Sequence, residues 1–336
     1  MKFGLRLPTY VFPDGAATLD TLVAFARRAD AIGFDSLWVV DHYLVAQPSY
    51  RVAFLDAMQV LAAVAPVSGR MRLGTSVLQL PLRNPVMLAK EIATLDWLSG
   101  GRFDFGVGNG WQEKEFEGVG VPLNERGRRT DEYLEVMIKL WTEDETSFHG
   151  QYVNFDGIRL LPKPVQTPYP PISFGGGSTV PEVFTDDRNF KKSEAKPSRV
   201  FRRIGRYASA WQATSVSDPE LLQRDWEQIC GYARQYGRDP SKIERMQTTY
   251  LVLSEDLSYV REQYGGIVGK DFDDMLSKSS YLFGSASKIV EELHKRAEIG
   301  IDRMILTPVN KDVEQLDRWA TEIIEPLRRL VPQAAH

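Results

Sequence analysis

The chain predicts a (β/α)8 barrel. Its 336 residues suit one barrel with insertions. Eight short apolar runs alternate with segments of helical period from end to end. One of those runs, Phe103 to Val107, opens directly into Gly108-Asn-Gly-Trp111, where glycines allow a ligand close to the backbone at a strand's C-terminal end. A doubly wound parallel sheet is the alternative, but eight units in one chain favour closure. Residues 1–336 read as a single domain, with a small hairpin inserted near 146–160 and a polar excursion at 179–206.

The elements follow in order. Phe3 to Leu7 is an apolar first strand. Leu19 to Ile32 places Leu22, Phe25, Ala26 and Ala29 at helical spacing, with Gly33 past its end. Leu37 to Val40 is a strand, Leu55 to Val64 a helix, and Met71 to Leu78 the third strand. Pro85 suits the first turn of a helix running to Leu98. Phe103 to Val107 is the fourth strand. Arg126 to Trp141 is amphipathic, with Leu134, Met137, Ile138 and Trp141 on one face. Turn pairs between aromatic and β-branched residues make Phe148 to Ile158 a hairpin, and Pro162 to Pro171 is an extended linker. Strands then resume at Ile172–Phe174, Ala210–Ala213, Met246–Leu253 and Arg303–Leu306. Helices are expected at Leu221–Tyr236, Ile289–Ile299 and Val313–Leu330.

Composition narrows the function classes. The chain is 43% hydrophobic and 26% charged, as soluble globular proteins are, and its net charge of −4 gives no ground for nucleic acid or membrane binding. No apolar run reaches the roughly 18 residues that span a bilayer. The apolar part of Met1 to Pro8 is too short for a secretory signal. Cys230 is the single cysteine, which rules out an intrachain disulfide and a thiolate cluster, and it reads as a buried structural residue. A cytoplasmic protein is expected.

Chemistry in a barrel sits at strand C-termini. There the second strand ends in Asp41-His42, the third near Ser76-Val77, the fourth in Gly108-Asn109-Gly110 and the fifth in Gly175-Gly176-Gly177-Ser178. Of four histidines, only His42 stands at a strand end, and none has metal-ligand spacing to another. Neither a nucleophile elbow nor a dinucleotide GxGxxG follows the first strand. Gly175 to Ser178 is an anion nest for a phosphate or, equally, hinge material. Glu113 and Glu115 read as a solvated loop beside the fourth strand.

Together, Gly33-Phe-Asp-Ser-Leu-Trp-Val-Val-Asp-His42, Leu73-Gly-Thr-Ser-Val77, Arg102-Phe-Asp-Phe-Gly-Val-Gly-Asn-Gly-Trp111, Arg126-Gly-Arg-Arg-Thr-Asp-Glu132, Leu161-Pro-Lys-Pro-Val-Gln166 and Pro171-Ile-Ser-Phe-Gly-Gly-Gly177 resemble the bacterial luciferase-like flavin-dependent oxidoreductases, most of all their F420 branch. The likeness covers residues 1–178 well and 205–330 more loosely. It implies a catalytic His42 beside a flavin-type ring, with Asp41 next to it. It implies a non-proline cis peptide at Ser76–Val77 behind the ring, Asn109 and Gly110 at the ring edge, and the cofactor phosphate on Gly175, Gly176, Gly177 and Ser178. In the F420-dependent sugar-phosphate dehydrogenases a glutamate acid follows the fourth-strand glycine; here that position is Trp111. The implied function is oxidoreduction of a small organic molecule by hydride transfer or oxygen insertion. Reduced F420 or FMN is the electron donor, a separate flavin or F420 reductase a possible supplier, and a homo-oligomer the expected assembly. A flavin-binding barrel without turnover and a metal-dependent barrel hydrolase using Asp41 and His42 are the competing functions. Residues 179–206 depart from the family pattern and read either as a lid bearing Lys191, Lys192 and Lys196 or as a plain surface excursion.

Overall fold

The computed structural model describes residues 1–12, 15–45, 52–178, 197–213, 219–265 and 281–331. Eight parallel strands form the barrel: β1 Lys2–Arg6, β2 Ser36–Val39, β3 Arg72–Thr75, β4 Phe103–Gly108, β5 Ile172–Gly175, β6 Ala210–Ala213, β7 Glu244–Val252 and β8 Arg303–Thr307. Each pairs with its neighbours in sequence. The ring closes where β1 runs beside β8, Leu5 opposite Leu306. Around it lie α1 Leu19–Ala31, α2 Ala57–Val64, α3 Pro85–Leu98, α4 Arg126–Thr142, α5 Pro197–Tyr207, α6 Pro219–Gln235 and α7 Ala286–Glu298. Local chemistry starts several of these helices. Thr18, Asp56, Asn84 and Ser285 each accept a hydrogen bond from a first-turn amide of the helix that follows.

Side chains alternate along each strand, so every second residue points into the barrel. Trp38 lies across the interior with Ala210, Met246 and Ile305. It fits because Gly4 and Gly74 face it: a Cβ on either would come within 2.6 and 2.3 Å of the indole. Below this layer, ion pairs fill the N-terminal end. Arg72 holds Asp104 at 2.5 Å and Arg303 holds Glu244 at 3.1 Å. They line a cavity of about 670 Å³ that opens at the end opposite the strand C-termini.

The structure differs from the sequence expectations in several places. The third strand stops at Thr75; a cis Ser76–Val77 peptide follows, and Leu78–Gln79 then pairs with the end of β4. The excursion is shorter than 179–206, because α5 occupies Pro197–Tyr207. Phe201 and Ile204 are fully buried, and Arg203 hydrogen-bonds Asp131 at 2.6 Å, so this stretch is a barrel helix. Its arginine-rich polar face hid the apolar stripe. The last helix is three pieces, Gln315–Trp319, a wide π turn Ala320–Ile324, and Glu325–Leu330. Pro326, which has no amide hydrogen to continue the regular ladder, follows the wide turn. Last, Tyr10–Phe12, Gly15–Ala16 and Ala53–Phe54 form a small antiparallel sheet that no alternation had signalled, its strands being too short.

Gly106 leaves no room for a side chain. A Cβ there would lie 1.7 Å from the Thr75 carbonyl oxygen. The Thr75 hydroxyl also bonds both the Gly106 amide and carbonyl, at 3.0 and 2.7 Å. Gly106→Ala is expected to destabilise the protein by about 3 kcal/mol or more, beyond the usual overpacking range's lower end. Chemical denaturation checks this; a loss under about 1 kcal/mol would mean that β3 and β4 can slide apart.

Candidate active site

Four strand ends converge on the mouth. After β2 come Asp41, which is buried, and His42. Both Asp41 oxygens are used: one accepts from the Gln79 amide at 2.9 Å, the other from Arg83 at 2.8 Å. Burial pushes the Asp41 carboxyl above its ordinary pKa despite the adjacent Arg83. Asp41 therefore pins the loop after β3 to the loop after β2.

His42 points its Nδ1 at Glu115, 3.1 Å from Oε2 and 3.2 Å from Oε1. The ring sits 5.6 Å from Trp111, edge to face, and 5.7 Å from Phe54. Glu115 was expected in a solvated loop; only Glu113 is exposed, and Glu115 is 1% accessible. A single turn of helix, Glu113–Gly118, carries it. Gln112, Glu115 and Phe116 lie three and four residues apart and all turn inward. That spacing, with the apolar Phe116 in it, was the available signal. Glu115 also accepts from the Tyr43 amide at 2.6 Å, the Leu44 amide at 3.2 Å and the Gln79 side chain at 2.9 Å. Burial works to raise its pKa, but the bonds from His42, Gln79 and Leu44 outweigh it and hold the carboxyl below its usual value. A carboxylate only accepts, so the Nδ1 proton of His42 faces Glu115, and in the neutral ring the lone pair belongs to Nε2.

After β3, Val77 projects between two strand-end glycines. A Cβ on Gly108 would lie 2.5 Å from it and one on Gly175 2.9 Å. Ser76 and Val77 are half-buried at the edge of the mouth. After β4, Gly110 has φ +72°, and a Cβ there would meet the Gln79 amide oxygen at 2.8 Å and Phe116 at 2.9 Å. The Asn109 side-chain oxygen is buried without a hydrogen-bond partner among the described residues.

The glycine loop after β5 is tied down by its own neighbours. The Gly176 amide donates to the Gln212 carbonyl at 3.2 Å, and the Gly176 carbonyl accepts from the Trp211 indole at 2.6 Å. The Ser178 amide donates to Asp225 at 2.7 Å, and the Ser178 hydroxyl to the same carboxylate. A Cβ on Gly176 would lie 2.7 Å from Val200 of α5. Gly177 completes the loop. Lys191, Lys192 and Lys196 of the expected lid lie outside the described residues. Among the described residues, no three His, Cys, Asp or Glu side chains gather as a metal site, and no helix is long and apolar enough to cross a membrane.

Because Glu115 has a depressed pKa when folded, its stabilisation is full above the unfolded value, about 4.3. It is lost as pH falls through the lower folded value. Glu115→Gln keeps an oxygen for the Tyr43 and Leu44 amides but turns an NH2 on the Gln79 and His42 donors, and is expected to cost about 1–3 kcal/mol at pH 7. The gap between wild type and variant in urea denaturation should narrow below about pH 4; a gap unchanged down to pH 2 would mean the carboxylate charge is not what holds the loops.

Comparison with known proteins agrees with this architecture. Residues 1–183 match the family model described as luciferase-like monooxygenase. An FMNH(2)-dependent dimethylsulfone monooxygenase of Pseudomonas putida is 34% identical over 281 residues, spanning 74% of this chain and 72% of that protein. An F420-dependent glucose-6-phosphate dehydrogenase of Amycolatopsis mediterranei is 36% identical over 166 residues, 47% of this chain and 48% of that one. An F420-dependent secondary alcohol dehydrogenase, solved with an F420-acetone adduct, shares the fold with a TM-score of 0.78 over 99% of both chains at 21% identity. With its closed eight-stranded barrel and its match to both the family model and the Pseudomonas enzyme, the chain belongs to the luciferase-like monooxygenase family.

Proposed function

We propose that the protein is an oxidoreductase that uses reduced FMN or reduced F420 at the barrel mouth to transform a small organic substrate. The buried His42–Glu115 pair carries this reading. A desolvated carboxylate that commits the Nδ1 of an imidazole serves proton handling better than it serves passive binding. The residues also fit a flat ring. Val77 offers a half-buried apolar surface, and Asn109 brings an unpaired buried amide oxygen for a ring N–H. In this reading Val77 backs the ring, Asn109 and Gly110 meet its edge, and Asp41 holds His42's loop in place. The phosphate-bearing tail would lie along Gly175, Gly176, Gly177 and Ser178, although the Gly176 and Ser178 amides already donate to Gln212 and Asp225.

Bound there, the cofactor supplies a hydride, or, as FMN, electrons to oxygen. The protein's own part is proton control. His42 takes up or delivers a proton at Nε2 while Glu115 stabilises the charged imidazole and keeps the ring aimed. Trp111 and Phe54 flank the imidazole and limit water. A separate reductase regenerates the reduced cofactor in this scheme, and the working assembly is a homo-oligomer in the cytoplasm.

Titrating the cofactor-free protein with oxidised and reduced FMN and F420 is the direct test. One pair is expected to bind at one molecule per chain, and failure of all of them to bind would overturn the reading. His42→Ala should then lower turnover by about 10²-fold or more with cofactor affinity retained. Unchanged turnover in a variant that still binds cofactor would leave His42 a packing residue.

A further inference from the structure

Among the described residues, one buried arginine lacks the carboxylate partner that the other buried arginines have. Four arginines are buried among the described residues: Arg6, Arg203, Arg296 and Arg303. Three meet a carboxylate: Arg203 with Asp131 at 2.6 Å, Arg303 with Glu244 at 3.1 Å, and Arg296 with Glu292 at 4.0 Å. Arg6, 8% accessible, forms no ion pair among the described residues. Its hydrogen bonds all leave from one nitrogen, Nη2, to the Ser76 hydroxyl at 2.9 Å, the Thr248 hydroxyl at 3.2 Å and the Ser76 carbonyl at 3.4 Å. Its Nε is buried with no partner.

The place of this cation is defined by the strands. Arg6 ends β1, opposite Trp38 of β2, so it lies inside the barrel at the C-terminal end. The register of Leu5 with Leu306 puts Arg6 level with Thr307, which faces inward two residues after the interior Ile305. The Thr307 hydroxyl is likewise buried with no hydrogen-bond partner. Ser76 and Thr248, the two hydroxyls that hold Arg6, are half-buried and border the opening. His42 comes three residues after the end of β2, so Arg6 is the deeper of the two.

We propose that Arg6 and Thr307 form an anion subsite at the floor of the mouth, which binds a carboxylate or sulfonate carried by the substrate; this rests on the mouth being the active site. A guanidinium offers five N–H donors in a planar fork that matches two oxygens of such a group. Desolvated and without a carboxylate, the cation is uncompensated until an anion arrives. Burial away from bulk water strengthens the attraction and penalises neutral competitors. The anion enters first and deepest, leaving the reacting end of the substrate toward His42.

The test compares wild type, Arg6→Met and Arg6→Lys, all free of cofactor, with sodium benzoate and sodium methanesulfonate as probes at constant ionic strength. Calorimetry and thermal unfolding read the binding. Wild type is expected to bind at least one probe and gain melting temperature. Arg6→Met should bind it about tenfold or more weakly, with its own melting temperature unchanged or raised. Arg6→Lys, which keeps the charge without the fork, should fall between them, and it carries the test if Arg6→Met does not fold. Equal probe binding in all variants overturns the proposal, as does no binding to wild type. A second arm measures affinity for reduced FMN and reduced F420. If that affinity falls in Arg6→Met while the probes bind neither protein, the cation serves the cofactor ring and the substrate subsite is overturned. If no cofactor binds but the Arg6-dependent probe response stands, the subsite holds and the oxidoreductase reading fails.

Discussion

One buried carboxylate gathers the mouth of this barrel. Glu115 accepts hydrogen bonds from His42, Tyr43 and Leu44 after β2 and from Gln79 after β3, while it hangs on the short helix after β4. Three loops that the sheet alone would leave independent are thereby held to one another. The bond network outweighs the cost of burying the charge, which is why the carboxyl stays ionised. The imidazole is fixed as a consequence. Its Nδ1 is committed to Glu115, and any proton it exchanges with a ligand passes through Nε2.

Space is governed as strictly as charge. Trp38 spans the interior because Gly4 and Gly74 leave their Cβ positions empty, and Val77 seats itself between Gly108 and Gly175 in the same way. The strand-end glycines that look like ligand cradles thus have a packing duty as well. Gly175 makes room for Val77, and Gly176 for Val200 of α5. A close-packed interior tolerates little added volume, so these positions couple the shape of the mouth to the stability of the barrel.

Polarity inside the barrel changes along its axis. The N-terminal end is lined by the matched pairs Arg72–Asp104 and Arg303–Glu244 around an open cavity. Apolar bulk around Trp38 forms the middle layer. The C-terminal end is polar and incompletely satisfied, with the Arg6 guanidinium, the Thr307 hydroxyl and the Asn109 amide oxygen all short of partners. Buried groups are bonded in nearly all of a native protein, and these three exceptions lie at the end where the active site is proposed.

The amino-acid sequence by itself determined the barrel. Eight apolar runs at the right spacing, with periodic helices between them, leave few other ways to bury their faces. It also marked His42, Ser76–Val77, Asn109 and the glycine loop, because residues at strand ends occupy predictable places in such a fold. What it left undetermined was who meets whom. Glu115 looked solvated because in a six-residue helix only Phe116 marks the inward face with an apolar side chain. Residues 197–206 looked like part of a surface excursion because arginines outnumber the apolar residues that α5 buries. The pairing of His42 with Glu115 spans 73 residues, and the surroundings of Arg6, which hold no ion-pair partner among the described residues, are built from strands at both ends of the chain. Local pattern sets the period of each element, but such contacts exist only once the barrel closes, so the tertiary structure alone decided them.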